Sequence, residues 1–427
     1  MDRRASRPDA LSIARVTIAG AGLAGLSAAV ALKQAGLAVR ISDSAAQPGG
    51  RCRSYFDPQL GQTIDNGNHL VLSGNQAVAR FRSAIGADVP LAGPEQADFD
   101  FCDIVSGARW TVRINDGRAP WWVLDKHRRV PGSGPIDYLP ILRLLMARKG
   151  RVDEHFTTIG PVWDRLLEPV LLAVLNTAAG EGSALLTRNA LRETVAVGGA
   201  AMRPLIAEPT LAAAFGDPAS TWLAGQGAPV EIGRRLRAIG FDGDRVVSLD
   251  WGAGVEPVEA DEAVILAVPP WVATALVPDL EAPDEFRAIV NGHFAFPAPH
   301  DAPKMLGLIG ATAEWVFAFP DRLSVTVSAA DALVDRDREE LARIFWADIC
   351  TALKIDALMP AWQIVKEKRA TFAATPEQDA KRPPAATRWR NLFLAGDWTQ
   401  TGLPATIEGA LRSGETAARL AIGARSG

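Results

Sequence analysis

The feature that most constrains the fold is a glycine pattern near the N-terminus. The segment Ile13 to Ala19, uncharged from Val16 on, leads into Gly20-Ala21-Gly22-Leu23-Ala24-Gly25, and an alanine-rich stretch continues to Gly36. The segment reads as a buried parallel strand, and the stretch after it as a helix stopped by Gly36. Val39 to Ser42 reads as a second strand, ended by Asp43, 23 residues beyond Gly20. Gly20 permits a tight turn, Gly22 lets the backbone approach a pyrophosphate, and Gly25 lets helix pack on strand. Leu23 and Ala24 open the helix, whose N-terminus directs its positive dipole at phosphates. Asp43, followed by Ser44, is placed to accept the hydroxyls of an adenosine ribose. Strand, glycines, helix, strand and acid in this order form a dinucleotide fingerprint rather than a chance glycine turn.

A second pattern stands at the other end. Leu392-Phe393-Leu394-Ala395 leads into Gly396-Asp397-Trp398-Thr399. This pattern resembles the segment that closes over the ribityl chain in FAD enzymes, which implies that Asp397 bonds its hydroxyls. Leu403-Pro404-Ala405-Thr406 then starts a helix whose N-terminus points at the flavin N1–C2=O edge, where a dipole stabilises the reduced anion. One long cofactor, FAD, is thus expected to be held by both ends of the chain. Pro48-Gly49-Gly50-Arg51 adds two glycines for close approach and a guanidinium for pyrophosphate charge. Thr63 to His69 forms a polar cluster in apolar surroundings. It reads either as a plain turn, since Asn66-Gly67 is a turn signal, or as a loop beside the isoalloxazine. In the second case Asn66, Gly67 and Asn68 contact the cofactor, and Asp65 and His69 are chemical groups of the site.

At 427 residues the chain exceeds one ordinary core. The fold class expected is α/β: a Rossmann-like FAD-binding domain with an α+β substrate-binding domain. The first domain is assembled from 13–110, 215–285 and 386–425, and the second from 111–214 and 286–385. Residues 1–12 are expected as a flexible tail. Arg245 to Leu249 is expected as part of a second βαβ-like return to the sheet, with Val247 against the cofactor. Val264 to Val268, stopped by Pro269-Pro270, is expected as a buried strand. Trp163 to Thr177 reads as an apolar helix with a kink at Pro169. Met305–Ile309, Trp315–Phe319 and Ser324–Ser328 read as antiparallel strands.

The net charge of −4 gives no basic face for nucleic acid. Three separated cysteines, Cys52, Cys102 and Cys350, suggest neither a disulfide framework nor a metal site. They fit a reducing, cytoplasmic compartment. Val16 to Leu32 lacks charge but is shorter than the ~20 residues a span needs, so no transmembrane helix is expected. Tyr138 to Lys149 mixes apolar bulk with Arg and Lys, downstream of Trp121-Trp122. It reads either as a core helix with snorkelling ends or as a segment docked on the inner face of the membrane.

These motifs resemble the flavin amine oxidase and carotenoid desaturase superfamily. More narrowly, Gly49 to Tyr55, Ile64 to Asn75, Leu175-Asn176-Thr177, Leu306 to Gly310 with Trp315, and Thr401 to Ala410 resemble the hydroxysqualene dehydroxylases. Asp43 departs from the glutamate usual there. The resemblance implies reductive replacement of an allylic C–OH of a C30 isoprenoid by C–H, giving squalene for hopanoid synthesis. It implies hydride from reduced flavin, and protonation of the hydroxyl so that it can leave. Two candidates stand for the acid: His69, and His293 on the apolar run Ile289 to Phe294. A carotenoid desaturase would take a similar polyene but oxidise it. A flavin amine oxidase would share the fold, and a non-catalytic isoprenoid escort would lack the cofactor residues. No second glycine-rich fingerprint marks an NAD(P)H site, so the electron donor is not legible.

Overall fold

A computed structural model describes residues 13–423. The expected tail over 1–12 and the end of the last expected segment lie outside the described residues. Strands from three distant parts of the chain form one five-stranded sheet, in the order Val230–Glu231, Ala38–Ser42, Arg15–Ala19, Glu262–Leu266, Leu392–Leu394. All its pairings are parallel. Its central strands are near-continuous apolar runs because helices cover both faces of a parallel sheet.

The fingerprint helix spans Leu23–Gln34. Gly36 closes it at φ +79, with Leu37 N–H donating to Leu32 O and Gly36 N–H to Lys33 O. This is the Schellman arrangement, which needs a residue free to enter the left-handed region. The last helix, Ile407–Gly423, lies against it. Ser27 Oγ donates to Leu411 O at 2.9 Å. A Cβ at Gly414 would stand 2.2 Å from Ala24 O, so this crossing requires glycine.

Seven strands form the second large sheet, in the order Trp362–Phe372, Phe286–Phe294, Leu323–Val327, Trp315–Ala318, Met305–Ile309, Ala97–Asp103, Arg109–Ile114. The helix Arg338–Leu353 covers one face, packing Phe345 and Ile349 with Val290, Leu306 and Val325. The alternate residues, Phe101, Trp315 and Phe317 among them, join a separate apolar cluster with Trp122, Tyr138, Leu144 and Trp163. Burial of each such side chain contributes about 1.5–3 kcal/mol.

Ala97–Asp103 and Arg109–Ile114, expected within the first segment of the cofactor domain, belong to this seven-stranded sheet. Ala97–Asp103 pairs in parallel with Met305–Ile309, a long-range contact with no local signal. Arg245–Asp250 is not a parallel return to the first sheet. It pairs antiparallel with Ala238–Asp242 and Val255–Pro257. Gly243-Asp244, with Gly243 at φ +54, turns the chain straight back, leaving no room for a helical crossover. Pro169 stands inside a helix that runs without a break through a turn of π-helix, Trp163–Leu167, into Glu168–Leu175, and that wider turn accommodates the proline.

Asn176 ends that helix in the left-handed region, at φ 46. Its Nδ2 donates to Thr371 Oγ1 at 2.8 Å, and its Oδ1 accepts from Ala329 N–H at 2.6 Å. Thr177 Oγ1 accepts from Ala374 N–H at 2.8 Å. The Leu-Asn-Thr block thus joins a helix end to the edge of the large sheet. Among the described residues no helix is long and apolar enough to cross a membrane.

Candidate functional site

The fingerprint strand delivers Gly20 at φ +108 against the end of the Glu262–Leu266 strand. A Cβ at Gly20 would lie 2.2 Å from Ala267 O, and one at Gly25 1.9 Å from Gly20 O. Gly22 caps the helix with no side-chain bond, leaving the first turn's N–H groups to face a ligand. Gly22 also forms a bridge with Gly49, and a Cβ at Gly50 would stand 3.1 Å from Gly22 Cα. Any side chain at these glycines would fill or break the cradle, so its shape fits a pyrophosphate held by backbone alone. Asp43 Oδ2 accepts from Ala21 N–H at 2.6 Å and Oδ1 from Ala45 N–H at 2.8 Å. The carboxylate is locked onto the glycine turn and retains further lone pairs for a ribose. Ser44 is exposed beside it.

The two ends of the chain meet at Arg51 and Asp397. Arg51 Nη2 lies 2.6 Å from both Asp397 oxygens, and Arg51 Nη1 donates to Ala370 O. Gly396, at φ +151, donates its N–H to Ser413 Oγ at 2.8 Å, and Trp398 Nε1 donates to Val268 O at 2.9 Å. Arg382, fully buried, donates to Asp397 O at 3.0 Å, to Thr401 Oγ1 at 2.7 Å and to Thr399 O. It organises the whole 397–401 loop. Leu403 and Pro404 are buried, Ala405 and Thr406 partly so, ahead of the last helix. Glu408 accepts from Ala77 and Val78 N–H at 2.9 and 3.0 Å, so it caps the helix Gln76–Ala84. An open cleft of about 500 Å³ lies nearby, lined by Arg235, Arg237 and Trp271. Arg369 sits over Trp271, next in the chain to Ala370.

The Asp65–His69 loop is tied to the face of the large sheet opposite the Arg338–Leu353 helix. Asn68 Nδ2 donates to Thr326 Oγ1 at 3.1 Å, and Thr326 Oγ1 donates to Asn291 Oδ1 at 2.8 Å. A Cβ at Gly67 would press on Asn291 Nδ2 at 2.9 Å. Asn66 Nδ2 reaches Glu367 Oε2 at 3.4 Å. A narrow crevice is lined by Asp65, Asn68, His69, Ile206, Ala207, Leu211, Phe317 and Phe319.

Within that crevice the groups differ. Asp65 Oδ1 accepts from Ser54 Oγ at 2.6 Å and Leu211 N–H at 2.9 Å, and Oδ2 lies 3.9 Å from Arg322. Burial raises its pKa, against those hydrogen bonds and the guanidinium. Asp65 therefore anchors the start of the segment at Leu211. Arg322 is buried, donates to Pro209 O at 2.9 Å, and stacks 3.8 Å from the Phe319 ring centroid. His69 is half-buried, and its pKa is lowered to about 4 by desolvation and then by the Arg51 charge.

Two expected residues are not brought to these places. His293 is fully buried on its strand, with Nδ1 2.8 Å from Ser324 Oγ and Nε2 without a partner, and it does not line the crevice. Burial, and then the Arg322 charge, lower its pKa to about 3. Val247 lies on the antiparallel three-stranded sheet with its side chain exposed and its carbonyl accepting from Val258 N–H. Arg322, Arg382, Asn291 and Thr326, each of which acts across the fold, are not among the residues expected from the sequence. An arginine within an apolar strand region, Phe319 to Val327, is the one signal that marked Arg322 as unusual.

Fold and cradle define a flavin oxidoreductase of the amine-oxidase type, and residues 23–422 match the family model described as flavin containing amine oxidoreductase. The structure is similar to cyclohexylamine oxidase from Brevibacterium oxydans, with a TM-score of 0.67 and 16% identity, covering 96% of this chain and 99% of that one. At that identity the likeness concerns the fold. The sequence is 50% identical to the hydroxysqualene dehydroxylase of Rhodopseudomonas palustris over 96% of this chain and 98% of the relative. It is 47% identical to that of Zymomonas mobilis, over 95% and 98%. The chain belongs to the hydroxysqualene dehydroxylase family within the flavin-containing amine oxidoreductases.

Proposed function

We propose that this chain reductively removes the hydroxyl of hydroxysqualene to give squalene. Near-half identity to hydroxysqualene dehydroxylases along almost the whole chain carries the reading. The glycine cradle and the Arg51–Asp397 junction support FAD as its cofactor. Bound and reduced, FAD supplies a hydride. The C–O bond breaks, the hydroxyl leaves as water with one proton, and a C–H bond forms at the same carbon.

In this reading Gly20, Gly22, Leu23, Ala24, Gly25 and Gly50 hold the pyrophosphate, and Asp43 the ribose. Asn66, Gly67 and Asn68 border the flavin ring. His69 faces the departing hydroxyl. Phe317 and Phe319, on the same crevice, offer π-faces to an allylic carbon with cationic character. Exclusion of water keeps that carbon from recapture as alcohol. Because each turnover consumes two electrons, a separate reductant must serve the enzyme. The enzyme works in the cytoplasm and meets its long apolar isoprenoid substrate peripherally at the inner face of the membrane. The test is product analysis with reductant present: squalene from hydroxysqualene supports the reading, and a desaturated polyene from a more saturated isoprenoid overturns it.

A further inference from the structure

Exposed apolar side chains are concentrated in one short region. Trp121, Leu124, Ile136, Leu139, Leu142 and Met146 all stand in solvent within 26 residues, with Trp121 67%, Ile136 72% and Met146 68% exposed. The region folds as one unit. Trp121–Leu124 and Pro135–Tyr138 form two short 3₁₀ turns in contact, and the helix Pro140–Met146 follows directly. Trp122 and Tyr138 pack edge-on at 5.0 Å between ring centroids, and Tyr138 Oη accepts from Val130 N–H at 3.0 Å.

The helix is amphipathic with two apolar sides. Leu144 is buried and Leu145 packs on the core, so neither is a docking residue. Leu139, Leu142 and Met146 follow the i, i+3, i+7 spacing of the opposite stripe and point outward. A helix this short has no reason of its own to expose such a stripe.

Charge separates this region from the rest. Residues 118–149 hold seven Lys and Arg against Asp125 and Asp137, a net +5 in a chain of net −4. Arg118, Lys126, Arg143, Arg148 and Lys149 are exposed, and among the described residues none of them forms an ion pair. Apolar side chains ringed by free cations match one surface chemistry: an acyl layer beneath anionic headgroups.

We propose that this ridge docks on an anionic bilayer. The apolar side chains enter the headgroup boundary, and the cations contact lipid phosphates. The inward side chains of the same unit, Trp122, Tyr138 and Leu144, belong to the apolar cluster under the large sheet. Docking therefore sets that cluster next to the lipid phase from which a C30 substrate would come. That purpose rests on the proposed reaction, whereas vesicle binding is measured without any substrate.

The test uses purified FAD-loaded enzyme co-sedimented with vesicles of phosphatidylcholine alone or enriched in phosphatidylglycerol. One variant carries Leu139→Ser, Leu142→Ser and Met146→Ser, and another Arg143→Glu, Arg148→Glu and Lys149→Glu. All six positions are exposed, so the flavin spectrum and turnover of detergent-dispersed hydroxysqualene should stay unchanged. The expected result is binding to the anionic vesicles only, weakened at least about tenfold in each variant. Absence of wild-type binding, or equal binding by either variant, overturns the proposal. So does a wild-type dimer in sedimentation velocity that the serine variant converts to monomer, because a second copy would then cover the ridge.

Discussion

Arg51 and Asp397 stand 346 positions apart, yet Arg51 Nη2 lies 2.6 Å from both carboxylate oxygens of Asp397. The Asp397 side chain is 6% exposed and that of Arg51 41%, so the carboxylate is buried and the guanidinium partly solvated. It joins the loop after the second strand to the loop before the last helix. These are the two loops assigned to the pyrophosphate and the ribityl chain. Asp397→Asn and Arg51→Met should each weaken FAD at least about tenfold, the loss expected for a hydrogen bond to a charged group. Titration of the apo-proteins by flavin fluorescence reads this directly. Because Arg51 is partly solvated, the accompanying loss of stability should be about 1 kcal/mol or less.

The crossing of the first and last helices should tolerate no side chain at Gly414. Its Cβ would meet Ala24 O at 2.2 Å and Ser27 Cβ at 2.8 Å. Backbone cannot yield there, so Gly414→Ala should cost about 1–3 kcal/mol through separation of the helices. At Gly36, with open space around a Cβ but φ +79, alanine should cost only about 1–2 kcal/mol of local strain. Urea unfolding of both variants measures the two costs.

Stability should fall in acid, and His293 should account for part of the slope. Its folded pKa is about 3, below the ordinary 6.5, so the unfolded chain takes up the proton first. The contribution is full above pH 6.5 and is lost as pH falls toward 3. In that window one such group adds a slope of about 1.4 kcal/mol per pH unit. His293→Asn should lower the slope by about that amount when denaturant midpoints are followed from pH 7 to pH 5. An unchanged slope would mean that His293 is already charged in the folded protein.

His69 makes a separate kinetic prediction. If it protonates the leaving hydroxyl, only its charged form is active, and that form is scarce above a pKa of about 4. The rate of the chemical step should then rise about tenfold per unit as pH falls from 7 toward 5. His69→Gln should remove that rise while keeping the flavin spectrum. A wild-type rate flat over this range would take the proton transfer away from His69.

Much of the cofactor half was legible because its signals are local. Gly20, Gly22 and Gly25 sit between a strand and a helix that each announce themselves, and Gly36 marks the helix end. The part built on the seven-stranded sheet was less legible because its contacts are long-range. Nothing near Ala97 says that this strand will lie beside Met305. Gly243-Asp244 is a local hairpin signal that the expected βαβ return left out of account. His293 looked chemical in the sequence because a histidine on an apolar strand stands out. The fold instead buries it against Ser324. Arg322 went unnoticed, although it lies 3.9 Å from Asp65 beneath the crevice. Which charged residues a fold buries follows from tertiary packing, and no local pattern encodes it.

The most direct measurement of the central claim is an anaerobic single turnover. The FAD-loaded enzyme is reduced with dithionite, freed of excess reductant, and mixed with hydroxysqualene. The account predicts that the oxidised flavin spectrum returns while squalene forms in equal amount. Flavin that stays reduced in the presence of hydroxysqualene, while the oxidised enzyme is bleached by a saturated isoprenoid or an amine, would contradict it.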